Sequence, residues 1–293
     1  MPTIGGTEVR LGCQSFTEPD WQGTFYPKGL KPADRLSSYA SAFDFVEIDS
    51  SFYAVPRPGS VIGWRESSPE GFLFSAKLPQ AITHDPDPKT NYPRRPLESE
   101  GWRETLDRFV ETISLLEDKL GAVVAQLPPQ WHYRPERMEV LERFLSALPA
   151  GIPWAVEFRH RGWLNDDTME LLKAHGVALV LQDLYYMPRL VEATTQELAY
   201  IRLQGRRKEI TSMEQLRIER DGDLDFWASA IVDLAAQGVR RVILAANNHY
   251  QGHSPGTIAA LQGRLGFTVG TPPARRTSEE LTGQHSLFPT EEA

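Results

Sequence analysis

Apolar and polar positions along the chain fall into a repeated unit. A short run rich in β-branched and aromatic residues is followed by a stretch whose apolar positions lie three and four apart. Eight such runs read as strands: 9–16, 45–53, 72–77, 122–127, 154–159, 177–183, 199–204 and 241–248. Most are bounded by Gly, Pro or charged clusters, which interrupt a strand. Between them lie helical patterns such as WRETLDRFVETISLLEDKLG, RPERMEVLERFLSAL and DLDFWASAIVDLAAQG. In the first of these, Leu106, Phe109, Val110, Ile113 and Leu116 share one helical face, and Gly121 is the expected stop. The connection from 184 to 197 shows little helical character.

Strands alternating with helices pair in parallel, and eight units predict an α/β fold with a single (β/α)8 TIM-type barrel over residues 1–270. An open doubly wound sheet is the alternative, but no GxGxxG follows the first strand and no GxxxxGK occurs. Residues 271–293 include TPPARRTSEE, polar and without apolar period, and are expected to form a flexible, disordered tail.

Composition narrows the function classes. A net charge of −8 argues against broad, nonspecific coating of nucleic acid, although a local basic patch is compatible with it. The single cysteine, Cys13, excludes an intrachain disulfide and fits a reducing compartment. No apolar run approaches the roughly 18 residues of a membrane span, and no basic start leads into an apolar leader. The expectation is a cytoplasmic protein without a membrane partner.

The carboxyl ends of the strands are where a barrel of this kind gathers its active site. Side chains alternate along a strand, so Glu47 and Asp49 point one way while Val46 and Ile48 pack against helices. By the same rule the next strands offer Ser75 and Lys77, Gln126, then Glu157 with Arg159. The last three end in Gln182 and Asp183, in Arg202 and Gln204, and in Asn247, Asn248, His249 and Tyr250. Each apolar strand turns polar near its end. One explanation is an internal salt-bridge network closing the mouth. A whole ring of buried ion pairs is, however, a costly substitute for apolar filling, and clustered ionisable groups are the usual material of sites.

Lys and Arg mixed with Glu, Asp and amides suit an anionic ligand held by cations beside a carboxylate acid or base. Glu47, Glu157 and Lys77 are the catalytic candidates. Asp49, Tyr53, His84, Gln126, Arg159, Asp183, Arg202, Asn247, Asn248 and His253 are candidates for binding substrate. A divalent metal remains open, but no HxH or HExxH occurs and three cations share the ring. The NNHYQGHSPGT loop suggests Ser254 as a helix N-cap with Pro255 at the first helical position, and His253 with loop N–H groups as a phosphate cradle. Aromatic residues on the candidate loops, Trp21, Phe25, Tyr26, Phe52, Tyr53 and Trp163, would either stack on sugars or bases or simply pack the barrel ends.

GCQSFTEPDWQGTFYP, FVEIDSSFYAVPRPGSVIGWRESSPEGFLFSAKLPQAITH, QLPP, WAVEFRHRGW and NNHYQGHSPGTIAALQ, in that order through residues 9–266, resemble the YecE-like family, a domain of unknown function numbered seventy-two. The resemblance implies a TIM barrel. It also implies a residue set: Glu47, Phe52, Tyr53, Pro56, Lys77, His84, Glu157, Arg159, Asn247 and Asn248. Asp49 stands where the family pattern usually has Asn. Members have been likened to endonuclease IV, a metal-dependent barrel acting on abasic DNA, but that enzyme's rich histidine ligand set is not matched here. In the tail, Gln284-His285-Ser286-Leu287-Phe288 resembles the bacterial sliding-clamp binding pentapeptide at four of five positions, His285 departing. The expected docking contacts are Gln284, Leu287 and Phe288.

These readings converge on an enzyme acting on a phosphate-bearing substrate, DNA or RNA above all, recruited to a sliding clamp by its tail. A sugar-phosphate isomerase or lyase, and a noncatalytic nucleic-acid or clamp-binding adaptor, are the alternatives.

Overall fold

The computed structural model describes residues 2–206 and 209–269, so the tail with its pentapeptide at 284–288 lies outside the described residues. The strands are β1 (Thr3–Ile4), β2 (Thr7–Cys13), β3 (Phe45–Ile48), β4 (Leu73–Lys77), β5 (Leu120–Gln126), β6 (Trp154–Glu157), β7 (Ala178–Asp183), β8 (Ala199–Leu203) and β9 (Arg241–Ala246). β1 is a short antiparallel flap on β2. From β2 to β9 every neighbour is parallel, and β9 returns to pair with β2 from Glu8–Arg241 to Cys13–Ala246. The sheet is therefore a closed eight-stranded parallel barrel.

The helices are α1 (Arg35–Ala40), α2 (Pro58–Glu66), α3 (Gln80–Thr83), α4 (Trp102–Ile113), α5 (Pro135–Leu145), α6 (Asp166–Ala174), α7 (Asp221–Ala236), α8 (Asn248–Gln251) and α9 (Ser254–Arg264). They ring the barrel everywhere except between β7 and β8, where the chain crosses without a helix, as the lack of helical character over 184–197 predicts. There Thr194 substitutes for helix packing: its hydroxyl donates to the Val177 carbonyl at 2.8 Å and accepts from the Leu179 N–H at 2.8 Å.

Two apolar layers follow from the alternation. Val46, Ile48, Phe74, Val123 and Leu244 face outward onto helix residues such as Phe109, Leu141 and Ile231. Phe45, Leu73, Val124, Val180, Tyr200 and Ile243 fill the interior with the small Ala122, Ala155, Ala178 and Ala245 between them, which lets large and small side chains share one narrow lumen.

Several boundaries differ from the expectation. α4 ends at Ile113 and runs through a 3-10 turn over Ser114–Lys119, so Gly121 stops no helix but lies inside β5. There an added Cβ would come within 3.3 Å of the Phe74 carbonyl oxygen. β3 ends at Ile48, because the Ser51 hydroxyl donates to the Ile48 and Lys77 carbonyls at 2.8 and 2.9 Å and curls the chain into a 3-10 turn. β9 ends at Ala246, since Asn247 caps α8 by accepting from the His249 N–H. The N-cap of α9 is His253 rather than Ser254; its Nδ1 accepts from the Gly256 N–H at 3.1 Å, with Pro255 in the first turn.

Within the barrel wall the backbone approaches closely at Gly12, where an added Cβ would lie 2.0 Å from the Phe45 carbonyl oxygen. Gly12→Ala must spread β2 from β3 at the barrel wall, so we expect destabilisation of about 1–3 kcal/mol or more, read by urea unfolding. An unchanged midpoint would show that β2 and β3 need not sit this close.

Candidate functional site

The interior alternation sets what stands above the apolar layers. On β8, two residues beyond Tyr200, Arg202 projects into the lumen; on β3, two beyond Phe45, stands Glu47; on β6, two beyond Ala155, stands Glu157. The boundary between oil and charge is the Tyr200 hydroxyl, which donates to Glu47 Oε2 at 2.7 Å and lies 2.5 Å from the Ser75 hydroxyl.

Arg202 organises the polar layer. Its Nη2 donates to Glu47 Oε1 at 2.6 Å and to Gln14 Oε1 at 3.2 Å; its Nη1 donates to Glu157 Oε2 at 2.5 Å and to Gln126 Oε1 at 3.1 Å. Arg159 closes on the other Glu157 oxygen, Oε1, and its Nη2 donates to Gln126 Oε1 at 3.2 Å. Glu47 and Glu157 are fully buried and Arg202 is 2% exposed, so these charges have exchanged water entirely for one another.

The pair of carboxylates is not equivalent. Burial pushes Glu157 upward, but the Arg159 and Arg202 guanidiniums outweigh it and hold the carboxyl at about 2. Glu47 is raised, because burial and the Asp49 charge oppose the attraction of Arg202. Glu157, expected from the sequence to move protons, instead has a fixed negative charge, which suits anchoring two guanidiniums better than acid–base work.

Above this layer opens a cavity of about 530 Å³, lined by Asp49, Lys77, Gln126, Arg159, Arg202 and Asn247 from the predicted set. Gln14, Leu184, Tyr185, Tyr186, Gln204, Gly205, Arg206 and Glu209 line it as well, and sequence reasoning did not single these out as site residues apart from placing Gln204 at a strand end. Neither Glu47 nor Glu157 reaches the cavity wall. Lys77 is buried, with Nζ 3.6 Å from Asp49 Oδ1 and 4.2 Å over the Phe52 ring. Burial lowers its pKa, with the Arg202 charge acting in the same direction and Asp49 opposing.

The other predicted residues divide. His84 packs edge-on against Phe52 at 5.0 Å; burial and the Lys77 and Arg159 charges push it down to about 4, so it is neutral at physiological pH. Tyr53 stands 69% exposed beside Phe52. Asn247 donates to Gln14 Oε1 at 2.9 Å. Asn248 is spent within its own loop, accepting from Trp21 Nε1 and from the Ser254 N–H and hydroxyl while donating to Glu18. His253 is a cap, and burial pushes it down to about 4, so it offers no cation to a phosphate. Asp183 faces away from the lumen: its carboxylate accepts from Trp227 Nε1 at 3.0 Å and the Tyr250 hydroxyl at 2.8 Å, and pairs with Arg189 at 2.8 Å. The consecutive pair Gln182-Asp183 allows only one of the two to face inward, and it is Gln182.

The aromatic residues also sort by burial. Trp21, Tyr26 and Trp163 are inaccessible, Trp163 stacking on Trp131 at 4.4 Å between centroids, and these pack the barrel end. Tyr185 and Tyr186, 63% and 43% exposed, edge the cavity, with the Arg206 guanidinium 4.4 Å over the Tyr185 ring. Among the described residues no group of three His, Cys, Asp or Glu side chains could hold a metal ion. The donor set does not suit one, since Arg202 already occupies the oxygens of Glu47 and Glu157 that face each other. No helix among the described residues is long and apolar enough to cross a membrane.

A closed (β/α)8 barrel with a buried guanidinium–carboxylate layer beneath an open polar cavity defines the class of protein. A family model described as "Protein of unknown function DUF72" matches residues 10–280, and the chain belongs to that family. It is 28% identical to UPF0759 protein YunF of Bacillus subtilis (strain 168) over 212 residues, covering 69% of this chain and 71% of YunF. It is 29% identical to UPF0759 protein YecE of Escherichia coli (strain K12) over 152 residues, 52% of this chain and 48% of YecE. Among solved structures, a DUF72 family protein from Thermotoga maritima MSB8 superposes with TM-score 0.70 at 28% identity, covering 87% of this chain and 97% of that one. Another from Enterococcus faecalis V583 gives TM-score 0.74 at 21% identity over 92% of this chain and all of that one.

Removing Arg202 leaves two buried carboxylates without their shared partner. Arg202→Met is expected to cost about 3–5 kcal/mol at pH 7. In the intact protein, the depressed Glu157 contributes stability that is present above its unfolded value of 4.5 and lost as pH falls through about 2. In the variant the same carboxylates prefer to be protonated. The gap between the two proteins should therefore narrow as pH falls from 7 to 4, measured by denaturant unfolding at each pH; a pH-independent gap would contradict the assignment.

Proposed function

We propose that the mouth binds one sugar-phosphate unit of a nucleic-acid strand and carries out chemistry on it. The observation that carries this reading is the set of cationic donors at the cavity wall. Four cationic side chains, Lys77, Arg159, Arg202 and Arg206, line it; Lys77 is paired with Asp49 and Arg206 with Glu209 at 2.9 Å, while Glu47 and Glu157 are sealed behind Arg202. A cavity of about 530 Å³ is the size of a small-molecule site, so it takes one unit rather than a duplex. Lys77, Arg159 and Arg206 contact the phosphate, Asn247 and Gln126 orient the sugar, and Arg202 is held rigid by the two buried carboxylates. The exposed rings of Tyr185 and Tyr186 at the cavity edge, and of Tyr53, favour a strand over a free sugar phosphate, since each can stack a flanking base.

A fluorescent single-stranded oligonucleotide should bind the full chain, with affinity falling as salt rises. Lys77→Ala and Arg206→Ala should each weaken it about tenfold, about 1.4 kcal/mol, and Tyr185→Ala by about 1–3 kcal/mol. Equal binding by all three variants, or none by the wild type, removes the reading.

The tail supplies recruitment in the same proposal: Gln284, Leu287 and Phe288 dock into an apolar pocket of the sliding clamp. Full-length protein should bind immobilised clamp, and the Leu287→Ala/Phe288→Ala double variant should lose at least tenfold in affinity. If the clamp binds while the oligonucleotide does not, the chain is an adaptor instead.

A further inference from the structure

Two lysine ammonium groups seated against the barrel are used differently. Lys119 Nζ donates to the Arg65 and Ser68 carbonyls, both at 2.7 Å, and to the Ser68 hydroxyl at 2.9 Å, so all three protons are placed. That is how a structural ammonium is held. Lys77 Nζ, on a side chain only 9% exposed, donates no hydrogen bond to any described residue; its partners are the Asp49 carboxylate at 3.6 Å and the Phe52 face. Asp49 Oδ1 is itself buried without a hydrogen bond. The amine and the carboxylate both line the cavity, as do Arg159 and Arg206.

We propose that Lys77 is an imine-forming amine that condenses with the free carbonyl of a phosphorylated, open-chain sugar. The proposal rests on the phosphate reading of the same site and deepens it: Arg159 and Arg206 hold the phosphate while Nζ reaches the carbonyl carbon. The ammonium first passes a proton to Asp49. The freed lone pair forms the N–C bond, and the carbonyl π electrons move to oxygen, which takes that proton from Asp49. A second proton passes from nitrogen to Asp49, giving the carbinolamine, and then to its hydroxyl as the nitrogen lone pair forms the C=N bond, the C–O bond breaks and the oxygen departs as water. The product is an iminium with one proton on nitrogen, so that ammonium and carbonyl become iminium and water without oxidant or reductant. The iminium draws electrons from the adjacent carbon, which makes a C–H or C–C bond there breakable. Burial and the nearby guanidinium of Arg202 favour the neutral amine that this requires. In a nucleic-acid strand the sugar with a free carbonyl is one that has lost its base; in solution it is a pentose or triose phosphate.

Borohydride trapping tests this directly. Wild-type protein is incubated with 2-deoxyribose 5-phosphate in one arm and with a single-stranded oligonucleotide carrying one base-free deoxyribose in the other. Sodium cyanoborohydride is then added and the adducted peptide mapped by mass spectrometry. The expected result is a stable adduct on Lys77 in at least one arm, forming at least tenfold faster than on exposed Lys89, slowed by inorganic phosphate and absent in Lys77→Arg. The trapping rate should rise to its plateau at a pH below that of a free lysine amine. Reaction in the first arm alone assigns a free sugar phosphate as the source of the carbonyl, and reaction in the second a strand. Adducts confined to exposed lysines, or none at Lys77 in either arm, overturn the imine. Because the adduct is mapped on the wild type, the result does not depend on how the variant folds. The phosphate reading is judged apart from it, since oligonucleotide binding that persists without an adduct leaves binding intact and only the imine gone.

Discussion

The guanidinium of Arg202 is the constraint on which the rest of this mouth depends. Two buried carboxylates on separate strands, Glu47 on β3 and Glu157 on β6, would repel each other and lose their hydration uncompensated without it. With it, strands from across the lumen are joined by charge-assisted bonds of fixed geometry, and Gln14 and Gln126 complete its donor set. An apolar plug could close a barrel at lower desolvation cost. A planar fork with four acceptors specifies instead where each strand end must stand, and that is what a cavity with polar walls requires.

The layer also separates two jobs. Below Tyr200 the lumen is apolar and packs; above Arg202 it is polar and open. Carboxylates that look like acids and bases in the sequence belong to the seam between, where one is locked ionised and the other turned toward a tyrosine hydroxyl. The group left with unused bonding capacity at the cavity wall is the amine of Lys77, together with the Asp49 carboxylate beside it. In this chain the amine therefore has an anionic neighbour that could also accept its proton.

Much of the barrel was legible in the sequence because its cause is local. Period-two alternation and apolar runs placed eight strands, and the lack of a helix between 184 and 197 was visible as the lack of period. Ends of elements were less so, since Ser51 and Asn247 stop strands through side-chain bonds that depend on the neighbouring turn. The inward set was mostly recoverable, but Asp183 was not separable from Gln182 without the phase of the strand, and His253 was not separable from a ligand until its ring was seen capping α9. Gln14, Tyr185, Tyr186 and Arg206 reach the cavity from loops or strand ends. The tyrosine pair had a signal, adjacent aromatic residues in an unstructured crossover; Gln14 had the same one as the other strand ends, a polar residue in the inward phase, but its partner Arg202 lies 188 positions away in the chain.

The helix-free crossover between β7 and β8 has an effect on how this scaffold can vary. Leu184, Met187 and Thr194 fasten it to the barrel, and Arg189 ties it to Asp183 and Asp223, while Tyr185 and Tyr186 project from its tip. Elsewhere around the ring, a change in a connection must respect a helix seated on the sheet. Here the tip can be lengthened, shortened or exchanged with no helix to reseat, so this one edge is where related chains can diverge in what they admit while keeping the same barrel beneath.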